Sequence, residues 1–215
     1  MAADIRPTLH IIVGPNGAGK TTLYRLRIAS RHPSAEFVNA DELAAQRFGH
    51  PARTLEESQT GQTLAEKRRC ELMARHKSLV AESTFSHPSK LELVREAITV
   101  GYRVNLYHVN VRSVELSVHR VAARVQQGGH PVPEDRIRRR YERNRAIIHE
   151  AAKLADHAYI FDNSLLAKPY TLIIEMKRGE IVRTGENIPQ WARDLYTDEL
   201  HSFSSAPPGS RAGNH

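Results

Sequence analysis

The chain has 215 residues, a formal net charge of +7, twelve histidines and a single cysteine. Cys70 alone excludes an internal disulfide and a multi-cysteine zinc site, and suits a reducing compartment. No apolar run is long enough to span a bilayer, and the excess of positive charge points to anionic partners such as nucleotides, sugar nucleotides or nucleic acid.

In chain order, an apolar strand is expected over residues 9–13, followed at once by Gly14, Pro15, Asn16, Gly17, Ala18, Gly19, Lys20, Thr21 and Thr22. This is G-x-x-x-x-G-K-T in its required setting, a buried strand in front and a helix over 20–29 behind. The glycines let successive backbone N–H groups curl toward one phosphate, and the helix adds its positive N-terminal end. Lys20 is expected to reach the β- and γ-phosphates of ATP, and Thr21 to offer its hydroxyl to Mg²⁺.

Further strands are expected over 36–39, 79–82, 103–109 and 158–162, with helices over 42–47, 55–77, 88–99, 113–126 and 133–154. A hairpin of 170–176 with 180–183 follows, turning at Lys177-Arg178-Gly179. Such alternation predicts an α/β fold of the P-loop NTPase, nucleotide-kinase-like kind, a parallel sheet flanked by helices on both faces. One domain over 1–201 is expected. The Ser-, Pro- and Gly-rich stretch 202–215 reads as a disordered tail. Residues 1–7 carry Asp4 and no apolar signal core, so a cytoplasmic location is expected.

The phosphate loop alone does not name an activity. The L-S-G-G-Q signature of ABC ATPases and the N-K-x-D base-reading motif of GTPases are both missing. Small-molecule kinases instead place an acidic residue after the second strand, and Val38-Asn39-Ala40-Asp41 fills that position. Asp41 is a candidate base for an acceptor hydroxyl, or the N-cap of the helix at Glu42, and the two roles can coexist. Glu82 ends the strand beside the loop and could hold Mg²⁺ through water or bind a substrate hydroxyl, as could Thr84 the substrate. Arg120 and Arg124 share one helix face and are candidates to neutralise charge on the transferring phosphoryl group. Arg136, Arg138, Arg139, Arg140, Arg143 and Arg145 follow, but consecutive arginines on a helix diverge, so at most one or two can face the site. Aromatic residues are scarce near this cluster, so nucleic acid is not expected as a main partner.

Together, the phosphate loop, Asn39-Ala40-Asp41, Ala81-Glu82-Ser83-Thr84, the stretch from Arg120 and Arg124 through Gly128-Gly129-His130 to Pro133, Arg139-Arg140-Tyr141 and Asp162-Asn163-Ser164 resemble the zeta toxins, the P-loop kinases of toxin–antitoxin systems. The resemblance covers roughly residues 8–165 and implies transfer of the γ-phosphate of ATP, with Mg²⁺, to a sugar hydroxyl. The usual acceptor in that family is the 3′-OH of the N-acetylglucosamine part of UDP-N-acetylglucosamine. It implies Lys20 and Thr21 as ATP and Mg²⁺ residues, Asp41 as base, Glu82 and Thr84 as sugar-nucleotide ligands and Arg120 or Arg124 on the phosphates. It also implies Glu66 as a substrate carboxylate, His130 or Arg139 in place of a second lid arginine, and an antitoxin that covers the ATP site. A kinase for another small hydroxyl or ribose-containing substrate is the alternative, with a nucleotide-dependent nucleic-acid-binding protein behind it.

Overall fold

A computed structural model describes residues 6–129 and 131–205. A seven-stranded sheet in the order β2-β3-β1-β4-β5-β6-β7 forms the frame. Its strands are β1 (Thr8–Val13), β2 (Glu36–Val38), β3 (Leu79–Ser83), β4 (Arg103–Asn110), β5 (His157–Asp162), β6 (Thr171–Lys177) and β7 (Glu180–Thr184). β1 to β5 pair in parallel; β1 after Thr8 and the first three residues of β3 are buried, while β4 and β5 alternate buried with half-buried residues. The hairpin β6–β7 joins the edge of β5 antiparallel, so the sheet is mixed rather than wholly parallel. A two-residue turn at Arg178-Gly179, both at positive φ, reverses the chain there and permits only antiparallel pairing.

Alternation along β1 sends Leu9, Ile11 and Val13 to one face and Ile12 to the other. On the first face pack α3 (Leu55–Ala74), α4 (Ser89–Thr99), α6 (Glu134–Leu154) and α7 (Gln190–Leu195), through residues such as Leu72, Val94, Ile148 and Trp191. On the second lies α1 (Lys20–Leu23), which runs straight into a π-helical turn over Tyr24–Ile28 that buries Leu23 and Ile28. α2 (Ala40–Phe48) and α5 (Val114–Gln126) complete the helices around the sheet's C-terminal edge. No helix among the described residues is long and apolar enough to cross a membrane.

Local chemistry sets the helix ends. Thr54 and Glu57 form a reciprocal capping box that starts α3, and Ser113 caps α5 by accepting from Leu116 N–H. α3 stops at Ala74, three residues before the expected end, because His76 turns left-handed and Lys77 N–H reaches back to Leu72 C=O. No glycine marks that stop. Two short helices, α7 and α8 (Thr197–Ser205), were not anticipated. The expected tail is therefore helical over 202–205, where Phe203 packs on the core, and 206–215 lie outside the described residues.

The C-terminal helices dock through polar bonds inside the core. Buried His108 of β4 shares a 2.9 Å hydrogen bond with the Tyr196 hydroxyl, and His149 meets Glu199 at 2.8 Å. Burial, with Arg145 and His149 nearby, pushes His108 down to about 3 from the ordinary 6.5. The unfolded chain then binds a proton at this site between those values that the folded protein refuses, so stability is full above pH 6.5 and is lost as pH falls toward 3. Denaturant unfolding measured from pH 7 to 4 is expected to show this decline, and His108→Asn should reduce it, buried His10, also pushed down to about 3, supplying a further share. An unchanged slope would refute the assignment.

Candidate active site

The site lies at the C-terminal edge of the parallel strands, where open α/β sheets receive ligands. β1 ends in the phosphate loop, and α1 begins at Lys20. Helix α5 presses against the loop: a Cβ on Gly17 would stand 2.8 Å from Ser117 C=O and 3.2 Å from Arg120 Cβ. The Ser117 hydroxyl donates to Asn16 C=O at this contact. Only glycine at 17, with φ +73°, permits that approach.

Lys20 is buried, and its ammonium donates to Pro15 C=O at 3.0 Å. Burial pushes its pKa down; the carboxylates of Glu82 and Asp41 oppose this, while Arg124 and Arg140 add to it. Glu82 is pushed up by burial, against the pull of Lys20. One oxygen of Glu82, Oε2, accepts from Thr21 Oγ1 at 2.8 Å and from Asn39 Nδ2 at 2.9 Å. Hydroxyl and carboxylate together form a hard-oxygen donor set of the kind Mg²⁺ prefers, and the buried ammonium beside a left-handed glycine loop fits a polyphosphate.

Asn39 caps α2. Its Oδ1 accepts from the N–H groups of Asp41 at 2.8 Å and Glu42 at 3.2 Å. The alternative of Asp41 as N-cap is thereby corrected: α2 starts at Ala40, and Asp41 lies inside its first turn, exposed, with its charge felt by Lys20, Glu82 and Arg140. Asn39-x-x-Glu42 is a capping pattern in the sequence, hidden by the expectation that residue 39 ended a strand.

The two arginines of α5 do not stand alike. Arg120 lies against Gly17 and near Tyr170, and Arg124, more exposed, acts on Lys20. From α6 it is Arg140 whose charge meets Lys20 and Asp41. Arg139 points outward, its side chain 59% exposed and paired with Asp135 at 2.5 Å. Arg138 bonds Glu134 and Glu115. Arg139, expected as one of two alternatives for the second lid arginine, thus faces solvent, Arg140 is the α6 arginine whose charge reaches Lys20, and the other alternative, His130, lies outside the described residues. The signal was legible: Ile137, Tyr141 and Asn144 are the buried stripe of α6, and Arg140 lies one turn from both Ile137 and Asn144.

Thr84 follows β3; its hydroxyl is 3.4 Å from that of Ser86, and its C=O accepts from Asn144. Glu66 is an exposed residue of α3 whose charge acts on Arg69 and Lys90, between α3 and the start of α4. The structure thus gathers Lys20, Thr21, Asp41, Glu82, Arg124 and Arg140 into one electrostatic cluster and sets Glu66 beside a second, basic one.

The profile of the zeta toxin family matches residues 1–171. A Haemophilus influenzae protein described as uncharacterized is 35% identical over 66 residues, 31% of this chain, and that match spans 47% of the relative's own length. Among solved structures, the AvrRxo1-ORF1:AvrRxo1-ORF2 complex with sulphate ions superposes with a TM-score of 0.69 at 16% identity, covering 97% of this chain and 74% of that one. The PezAT chromosomal toxin–antitoxin system of Streptococcus pneumoniae gives 0.61 at 16% identity, covering 92% and 85%. These likenesses establish a kinase-like P-loop fold, and with the profile spanning most of its length the chain belongs to the zeta toxin family.

Proposed function

We propose that this protein is an ATP-dependent phosphotransferase that places the γ-phosphoryl group on a hydroxyl of a sugar nucleotide, the 3′-OH of UDP-N-acetylglucosamine being the acceptor to test first. The observation that carries the reading is the arrangement around Lys20. A phosphate loop, a Thr21–Glu82 oxygen pair and a carboxylate released from capping meet at one strand edge. In this reading Thr21, with Glu82 behind it, would hold Mg²⁺, which would supply charge neutralisation to the phosphates. Lys20 holds the phosphates. Asp41 orients the acceptor hydroxyl and takes its proton as the oxygen bonds to the γ-phosphorus and the bond to ADP breaks. Arg124 and Arg140 offset the charge that spreads over the phosphoryl oxygens. Thr84 and Arg120 line the acceptor and phosphate sides. Glu66, with Arg69 and Lys90, stands at the acceptor's far end.

An antitoxin that covers the nucleotide site is the proposed protein partner. It is supported by family membership and by a structural neighbour described as a toxin–antitoxin system.

Mixing the protein with ATP, Mg²⁺ and UDP-N-acetylglucosamine is expected to give a sugar nucleotide heavier by one phosphoryl group in a mass spectrum. No such product, with ATP still bound, would move the acceptor to another small hydroxyl compound. Lys20→Ala is expected to abolish nucleotide-dependent turnover. Asp41→Asn should lower kcat by about 10²-fold or more with nucleotide affinity nearly intact, and full turnover by that variant would remove Asp41 as base.

Arg140→Ala is expected to lower kcat by roughly 10²-fold, the scale of losing one donor to developing charge. Arg139→Ala should stay near wild type, its guanidinium facing solvent. The reverse ranking in a steady-state assay would restore Arg139 as the lid residue.

A further inference from the structure

Two residues beyond β5 touch the phosphate loop through its carbonyls. Asn163, 8% exposed, donates from Nδ2 to Ala18 C=O at 2.8 Å, and its Oδ1 accepts from Tyr170 N–H at 3.3 Å. The Tyr170 hydroxyl donates to Gly19 C=O at 2.9 Å. That carbonyl also takes the Leu23 N–H of α1. We propose that Asn163 and Tyr170 are positioning residues that hold the phosphate loop in its anion-receiving shape before any nucleotide arrives.

The reason lies in the peptide plane. In a trans peptide the C=O of one residue and the N–H of the next point in opposite directions. Anchoring Ala18 C=O on Asn163 therefore turns the Gly19 N–H the other way. Anchoring Gly19 C=O on Tyr170 does the same for Lys20 N–H. Both N–H groups then face the phosphate side without a ligand to pull them there, and the ordering cost of binding falls.

Gly19 is what lets the pair approach. A Cβ there would stand 2.6 Å from the Tyr170 oxygen and 2.8 Å from Asn163 Nδ2. The glycine before Lys20 thus serves its rear contact as well as its φ of +95°.

The clamp is itself anchored. Asn163 N–H donates to Asn110 C=O at 2.8 Å, tying it to the end of β4. Asp162 Oδ1 accepts from Trp191 Nε1 at 3.0 Å and from Ser164 Oγ at 2.6 Å, and Ser164 Oγ accepts from Arg112 N–H. Tyr170 has φ +53°, a strained conformation for a bulky residue, of the sort that persists only where surroundings over-determine it. Its ring and that of Phe161 both lie 5.8 Å from the Arg27 guanidinium.

The nucleotide consequence rests on the phosphotransferase reading; the loop geometry does not. The test compares wild type, Tyr170→Phe, Asn163→Ala and Lys20→Ala. Hydrogen exchange of the nucleotide-free proteins should be faster over residues 14–22 in Tyr170→Phe, by about 5-fold for one lost hydrogen bond, with the rest of the molecule unchanged. Affinity for a non-hydrolysable ATP analogue with Mg²⁺ should fall by about 5-fold in Tyr170→Phe and more in Asn163→Ala, which strands two backbone groups. Unchanged exchange in the loop of both variants overturns the proposal. Faster exchange across the whole fold in both also overturns it, reducing the two to fold residues. Absence of analogue binding by wild type, with loop exchange responding as expected, defeats the nucleotide reading and leaves the clamp standing.

Discussion

One carboxylate oxygen holds the site together. Glu82 Oε2 accepts from Thr21 and from Asn39, and so fastens three separate strand–helix junctions at one point. Thr21 belongs to the helix after β1, Asn39 to the junction of β2 and α2, and Glu82 to β3. The strand order β2-β3-β1 makes this possible, since β3 lies between the other two. Asn39 in turn uses its other side-chain atom to start α2, which leaves the Asp41 carboxylate uncommitted to capping. A single buried acid therefore couples where α2 begins to where a metal and a reacting hydroxyl would sit. Burying it has a cost, met by two donors on one oxygen and by the Lys20 charge nearby.

The molecule's positive charge is divided by geometry. Several arginines are spent in surface pairs: Arg68 with Glu36 and Glu71, Arg95 with Glu92, Arg138 with Glu134 and Glu115, Arg183 with Glu175. Such pairs contribute little to stability individually but keep these cations turned outward. Arg124 and Arg140 instead bear on buried Lys20, so that three cations stand against the two carboxylates of Glu82 and Asp41. That local excess is what an anionic ligand relieves. The net charge of the whole chain is a poor guide to it.

The strand–loop–helix setting of the phosphate loop and the parallel core of the sheet were legible in the sequence, because each depends on contiguous residues or on plain alternation of elements. What escaped depends on distance along the chain. Asp41 was a candidate cap as well as a candidate base because Asn39 read as strand; the strand ends at Val38, and Asn39 turns its side chain to cap α2 and to bond Glu82. The antiparallel edge was implied by the expected hairpin, but its attachment to β5 is a tertiary fact. α7 and α8 are short and weakly patterned, and they exist because Trp191 and Tyr196 find His108 and Asp162 in the core. Glu66 came from family likeness; Arg69, three residues on along the same helix, was a neighbour legible from spacing, but Lys90 was not.

The π-helical turn over Tyr24–Ile28 has an evolutionary reading. A π-turn is what one inserted residue looks like when the helix on either side is kept. Removing one residue there would tighten the turn to an α-helix and rotate all that follows by about 100° relative to the phosphate loop. The loop would survive such a deletion, but Arg27 would leave the rings of Phe161 and Tyr170. Chain length in this short stretch is therefore tied to aromatic residues more than 130 positions away, and lineages that lose the extra residue should lose that ring pair with it.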